Sequence, residues 1–492
     1  MPLSDNDKPT DRPGPAKFST NINGLDSVLH GGLPVGRMTL VTGGPGSGKT
    51  VFALEVMYRR AQAGEPGLFV TFEESENNVF INAKSLGWDL RELKRARKLM
   101  VVHAQLPREF VLAGDFGIQG LIANLGSRIA AIGARYLVLD ALDVLIRNFD
   151  DPQHERQEIE NLYKWLDEVK LTSLLTLKAT NREINRYPFL EFKADCVLNL
   201  DQRMENQIRT RRLTVSKYRG SGFMNNEIPY VISSRGIRVL PVEEVRLTAK
   251  TREQPRMPSG NETLDGVLGG GFNQASSVLL TGQPGTGKSI LASSIAAAAC
   301  SRTQRVLYIT YEETEPLITE HMLGIGLDLQ PHLDSGRLKI VDILPEAMGV
   351  EEHLIRLLDV CEEVDPQLVI IDSISAIKRM GGLRGGFDLL LRLTGNLKQR
   401  GSILILINQY RNGNHYQRLS GFEISSLIDT VIILEYIWRM KDFRRRLTIM
   451  KSRGSNHSHR YHEMRISKRG IEISPETQPE AGASAARPET RT

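Results

Sequence analysis

A chain of 492 residues with 63 Lys and Arg against 58 Asp and Glu carries a formal net charge of only +5. That charge is too diffuse to mark a nucleic-acid-binding face by itself. Its 40% hydrophobic and 25% charged residues are those of a globular protein, with length for two to four domain cores at roughly 100–200 residues each.

The opening MPLSDNDKPTDRPGPAK lacks the apolar core of a signal peptide. Without a run of 18 apolar residues anywhere, no spanning helix and no membrane partner are expected. Cys196, Cys300 and Cys361 form no C-x-x-C pair, which speaks against a zinc site or disulfide framework and suits a reducing cytoplasm. Residues 1–15 are rich in Pro and polar groups and are expected to be a disordered tail.

Met38–Thr42 is a β-branched apolar run, and the motif Gly43-Gly44-Pro45-Gly46-Ser47-Gly48-Lys49-Thr50 follows it. The helical pattern VFALEVMYRRAQ comes next, so the glycines stand between a strand and a helix N-terminus. In that context backbone N–H groups converge on phosphate oxygens and the helix dipole adds positive potential. Lys49 is the candidate cation for the β- and γ-phosphates of ATP, and the Thr50 hydroxyl the candidate ligand of Mg²⁺. A second apolar strand, Leu68–Phe72, ends in Glu73-Glu74, where one carboxylate can act as general base and the other tune it. A third, Tyr136–Asp140, ends in a carboxylate suited to the magnesium shell, and is expected beside the Met38–Thr42 strand. Leu174–Leu177 reads as a further strand, and Lys217-x-Arg219 as a strand–turn cation pair able to stabilise a transferring phosphoryl group. Such a pair, if supplied by a neighbouring copy, requires a ring with sites between protomers.

Thr248–Pro258 is polar and proline-bearing, as linkers are, and beyond it the same landmarks return. Gly282, Gly285, Thr286, Gly287, Lys288 and Ser289 repeat the glycine motif, with Lys288 lying 239 residues after Lys49. Glu312-Glu313 follows Glu73-Glu74 at the same interval. Asp372 answers Asp140, with Ser373 where the first copy has Ala141. Lys451 and Arg453 answer Lys217 and Arg219. Four landmarks in one order establish a duplication, with domains at 16–250 and 251–475 and a disordered tail at 476–492. Strand–helix alternation in both copies predicts an α/β fold, two tandem P-loop domains with mostly parallel sheets flanked by helices.

Paired glutamates after the P-loop, the K-x-R-G-[ST] turns and the doubled order, from about Phe18 to Ile473, resemble the KaiC family of circadian-clock ATPases and autokinases. The resemblance implies an ATP-dependent homohexamer with nucleotides at subunit interfaces, an N-terminal ATPase, and a C-terminal copy that phosphorylates its own hydroxyl side chains. The family's adjacent phosphosites precede a strand like TVIIL, which places Ser425 and Ser426 at those positions. It also implies Glu312 as general base with Glu313 in support. Phe223 departs from the histidine that the second copy keeps as His457. The proline-broken C-terminus differs from the helical tail that binds KaiA in clock members, so KaiA control is not expected. A KaiB-like partner on the N-terminal ring remains open. The expectation is an ATP-hydrolysing serine autokinase in timing or stress signalling. The alternatives are a RecA-like DNA-dependent motor, for which no aromatic–basic strip suited to single strands is found, and a nucleotide-gated scaffold without kinase activity.

Overall fold

The computed structural model describes residues 14–104, 118–147, 149, 151–178, 188–205, 208–241, 255–409, 426–439, 442–468 and 470–475. The chain divides into two compact units, Met1–Glu243 and Glu244–Thr492.

The first unit is built on a nine-stranded sheet. Six strands run parallel in the order Cys196–Glu205, Met38–Gly43, Thr172–Lys178, Tyr136–Asp140, Gly67–Thr71 and Leu99–His103. Ile208–Tyr218, Ile228–Ser233 and Gly236–Val239 extend it as an antiparallel meander on the Cys196 side. The parallel strands read as continuous apolar runs because both faces are covered. Val41, Phe69, Val138 and Leu174 pack with Phe52 and Val56 of helix Lys49–Gln62. The alternate residues Leu40, Leu68, Leu139 and Leu175 pack on the other face with Leu125 and Ile129 of helix Gln119–Ile132 and Ile159 and Leu162 of helix Pro152–Val169. That last helix starts where Asp151 accepts from the His154 N–H at 2.9 Å and Pro152 occupies its first turn, a favoured opening because the capped donor would otherwise be orphaned.

The second unit repeats this plan. Leu338–Asp342, Val306–Thr310, Leu368–Asp372, Ile403–Gln409, Ser277–Gly282 and Thr430–Arg439 form the parallel part, in that order. Asp442–Ser452, His462–Ser467 and Gly470–Pro475 form the meander. Two such sheets, flanked by helices, make the chain a tandem of RecA-like folds.

Two expectations need correction. The strand ending in Asp140 does not lie beside the P-loop strand: Thr172–Lys178 is inserted between them, and Ile403–Gln409 likewise separates Asp372 from Ser277–Gly282. Strand order depends on crossover connections and leaves no mark in local composition. The linker expected over Thr248–Pro258 also ends earlier, since Arg256–Met257 is already a strand paired with Phe272–Asn273.

Candidate nucleotide sites

Each P-loop links the carboxyl end of a central strand to a helix that crosses the sheet face. At Gly48 and Gly287 the backbone turns into the helix with φ of 90° and 95°, a left-handed conformation that glycine adopts without strain. A Cβ there would meet the Ile232 side chain at 2.3 Å and the Ile466 side chain at 2.6 Å. At Gly43 and Gly282 a Cβ would lie 2.1 and 2.2 Å from the carbonyl oxygens of Leu200 and Leu434. The loops are braced from within: Ser47 Oγ donates to Gly44 O at 2.9 Å and Thr286 Oγ1 to Gln283 O at 2.8 Å. Beside Gly46 stands the Gln202 side chain, while the Tyr436 hydroxyl donates to Gly285 O at 2.6 Å.

Lys49 Nζ donates to Gly43 O and Gly44 O at 2.9 and 3.0 Å, and Lys288 Nζ to Gly282 O and Gln283 O at 3.0 and 2.7 Å. Both ammonium groups are turned back over the loop, where an anion held by the loop would meet them. Burial pushes Lys288 down to about 8, against the pull of Asp372 and Glu312. Burial also lowers Lys49; Asp143, Asp140 and Glu73 draw it back up, and Lys178 adds a smaller push downward.

Although one strand separates them in the sheet, the P-loop hydroxyls and the strand-end carboxylates meet, because each helix leans across the intervening strand. Thr50 Oγ1 lies 3.0 Å from Asp140 Oδ2, and the Ser289 hydroxyl hydrogen-bonds Asp372. A hydroxyl beside a carboxylate is an all-oxygen donor pair that fits Mg²⁺, which takes one or two protein ligands and keeps its waters. Burial raises both carboxyls above the usual range, and hydrogen bonds from Thr176 and Thr50 at Asp140, and from Ser289 and Tyr308 at Asp372, pull them back. The bracing group differs between sites. Thr176 Oγ1 donates to Asp140 Oδ1 at 2.7 Å, whereas the Tyr308 hydroxyl donates to Asp372 Oδ2 at 2.8 Å from the strand on the opposite side.

Each glutamate pair divides in direction. Glu74 is tied away by Asn82 Nδ2 at 2.9 Å and Glu313 faces His321 at 3.4 Å. Glu73 and Glu312 face the P-loop lysines and the strand-end aspartates instead. Glu312 is held by Ser373 Oγ at 2.8 Å and Gln409 Nε2 at 3.3 Å. At the matching positions the first site has Ala141 and Lys178, and Glu73 makes no side-chain hydrogen bond among the described residues. The Ala141/Ser373 difference is visible in the sequence; Thr176, Tyr308, Lys178 and Gln409 became recognisable only from strand register.

The K-x-R pairs are not brought to the P-loops of their own units. Lys217 pairs with Val197 and Lys451 with Val431, near the amino ends of the parallel strands. Lys217 Nζ donates to the carbonyls of Glu191 and Phe192, Arg219 to that of Phe192, and Lys451 to that of Ile428. At least about 10 Å of strand, at roughly 3.3 Å per residue, separates them from the cradles at the carboxyl ends. Ser426 lies at that same amino end, exposed, its carbonyl accepting from Arg453 Nη1 at 3.3 Å. Ser425 lies outside the described residues. Phe223 packs against the first unit's core, and the ring of His457 faces Ser455 O at 3.4 Å.

A family model described as "ATPase: KaiC" matches the chain twice, over residues 18–244 and 257–478. The chain belongs to the KaiC family. It is 35% identical over 462 residues to the circadian clock protein KaiC2 of a Synechocystis species, covering 93% of this chain and 81% of that one. To the circadian clock oscillator protein KaiC of Synechococcus elongatus it is 33% identical over 462 residues, covering 93% and 89%. Membership of this ATPase family implies ATP binding. Among the described residues no helix is long and apolar enough to cross a membrane.

Proposed function

We propose that both units of this KaiC-family chain bind ATP with Mg²⁺ and hydrolyse it, and that the C-terminal unit also phosphorylates Ser425 and Ser426 of a neighbouring copy. The glycine cradles, with Lys49 and Lys288, hold the phosphates. Thr50 with Asp140, and Ser289 with Asp372, would hold the metal, which when bound would supply positive charge against the phosphates. Glu73 and Glu312 act as general bases, because they face the phosphate side while Glu74 and Glu313 are tied elsewhere. At the second site a serine hydroxyl loses its proton to Glu312 while its oxygen bonds to the γ-phosphorus. The bond from that phosphorus to the bridging oxygen breaks and ADP leaves. At the first site water takes the place of the hydroxyl.

One observation carries the intermolecular part. Lys451, Arg453 and Ser426 cluster at the end of the sheet opposite their own P-loop. A cation pair and an acceptor so placed lie away from their own cradle, which supports the reading of a closed ring with sites between protomers; by family likeness that ring is a homohexamer. A role in timing or stress signalling, with room for a KaiB-like partner, fits the same reading, as does a cytoplasmic setting.

The test uses γ-labelled ATP and two full-length chains, Lys288→Ala and Ser425→Ala/Ser426→Ala. Neither should label alone, and mixing should label the Lys288→Ala chain. No labelling of the wild type would leave a hydrolysing scaffold. Unchanged labelling of the double alanine chain would remove the site assignment, and Glu312→Gln should lose labelling in either format.

A further inference from the structure

We propose that Lys178 is a further phosphate-contacting cation of the N-terminal site, reaching the terminal phosphate of a nucleoside triphosphate from within its own unit. The inference rests on the nucleotide reading above and adds a residue to it.

Register places Lys178 at the mouth of the site. It is the last residue of Thr172–Lys178 and pairs with Gly43, the first residue of the P-loop motif, so its backbone lies about 5 Å from the cradle. Side-chain parity gives the direction. Thr176, two residues earlier, leaves the sheet on the face where its hydroxyl meets Asp140, and residues two apart on a strand share a face. Lys178 therefore projects on the Asp140 face, one step further toward the crevice. The second site shows where a side chain at this position goes: Gln409 pairs with Gly282 in the same register, and its amide reaches Glu312 at 3.3 Å.

The surrounding charges leave the ammonium for a ligand. Asp143, buried, accepts from the Lys178 backbone N–H at 3.0 Å and is ion-paired with Arg147 at 2.9 Å. In the second site Ser375 performs the backbone task alone, accepting from the Gln409 N–H at 3.1 Å. A neutral Ser–Gln arrangement is thus replaced by an Asp–Lys one. Asp143 is occupied by the backbone and by Arg147, and among the described residues no carboxylate or carbonyl accepts from Lys178 Nζ. The Lys178 charge reaches Lys49 as a downward push, smaller than the effect of burial and than the upward pulls of Asp143, Asp140 and Glu73. Two cations converging on one crevice beside a glycine cradle fit a polyanion. Lys49 is bonded to the loop carbonyls, whereas Lys178 stands on the neighbouring strand end, which suits it to the terminal phosphate rather than the one before it.

The experiment uses the full chain with Lys288→Ala to silence the second site. Fluorescent ADP and a fluorescent non-hydrolysable ATP analogue are titrated against this parent and against added Lys178→Gln or Lys178→Arg. The expected result is a loss of analogue affinity of about ten- to hundredfold in K178Q, the effect of one charge-assisted hydrogen bond. ADP affinity should stay within about twofold of the parent, and K178R should recover most of the loss. ATP turnover should fall in K178Q and return in K178R. Equal loss for ADP and analogue, no loss for either, or no recovery in K178R would overturn the proposal. A parent that binds the analogue but does not hydrolyse ATP would instead defeat the hydrolysis reading, and the binding titrations would still decide the role of Lys178.

Discussion

The Tyr308 hydroxyl donates to Asp372 Oδ2 at 2.8 Å from inside the sheet, and the first unit does the same job from the other side. There Phe69 occupies the position of Tyr308 in the sheet and Thr176 braces Asp140 instead, with the second unit placing Ile407 where Thr176 would be. A buried carboxylate needs its hydrogen bonds made, and the two copies have satisfied that need through different neighbours.

Tyr308→Phe should therefore harm only the second unit and Thr176→Val only the first. Each substitution keeps the shape and removes a donor from a buried carboxylate, a change that costs about 1–3 kcal/mol. Thr176→Val also orphans the Ala141 N–H, which donates to Thr176 Oγ1 at 2.7 Å, so its effect should be the larger. Calorimetric scans of the nucleotide-free full chain should show the affected transition lowered by several degrees, at about 2–4 °C per kcal/mol for units of this size. A negligible shift in Tyr308→Phe beside a large one in Tyr308→Leu would mean that packing, not the hydroxyl, matters there.

These braces mark the limit of what the sequence could disclose. Gly43–Thr50 and Gly282–Ser289 are legible because the cradle is contiguous: the residues that turn the chain also build the site. Asp140 and Asp372 are legible as strand ends, and the glutamate pairs as repeated neighbours of strands. Strand adjacency was not legible, since the chain between Met38–Gly43 and its neighbour Thr172–Lys178 says nothing about which edge the crossover returns to. Thr176 and Tyr308 carry meaning only through that adjacency. In isolation a threonine or tyrosine in an apolar strand reads as ordinary sheet filling. The same holds for Lys217, Arg219, Lys451 and Arg453: their motif was visible, and their distance from their own P-loops follows only from antiparallel register.

Lys288 gives a pH prediction. Its folded pKa is about 8 against an ordinary 10.5, so between those values the unfolded chain holds a proton that the nucleotide-free folded chain lacks. Stability of the nucleotide-free second unit should therefore rise with pH from about 8 to about 10.5 as far as this group contributes. Nucleotide binding reverses the sense, because phosphate favours the ammonium form. Binding at this site should take up a proton above about pH 8 and weaken as pH climbs. Titration calorimetry in buffers of different ionisation enthalpy measures the uptake directly. Lys288→Arg, which stays charged, should abolish it; uptake that persists in that variant would assign the proton elsewhere. The Lys49 site should take up less, since three carboxylates pull that lysine back up.

The clamp on Glu312 leads to the last prediction. Ser373 Oγ and Gln409 Nε2 hold its two carboxylate oxygens, while Glu73 lacks both partners. A base that deprotonates a serine on a protein chain must stand where that serine is held, whereas water can follow a base that has moved. Ser373→Ala should therefore lower phosphoserine formation by about tenfold or more and lower ATP hydrolysis at the second site by much less. Ser373→Thr, which keeps the hydroxyl, should restore labelling. Quantitative phosphate labelling and ADP release, both measured in a Lys49→Ala background, separate the two activities. An equal fall in both would show that Ser373 serves the site's general architecture rather than the direction of its base. In the reverse sense, Ala141→Ser should give Glu73 a hydroxyl partner without creating a phosphorylated residue in the first unit, because that unit has no counterpart of the Ser425-Ser426 pair.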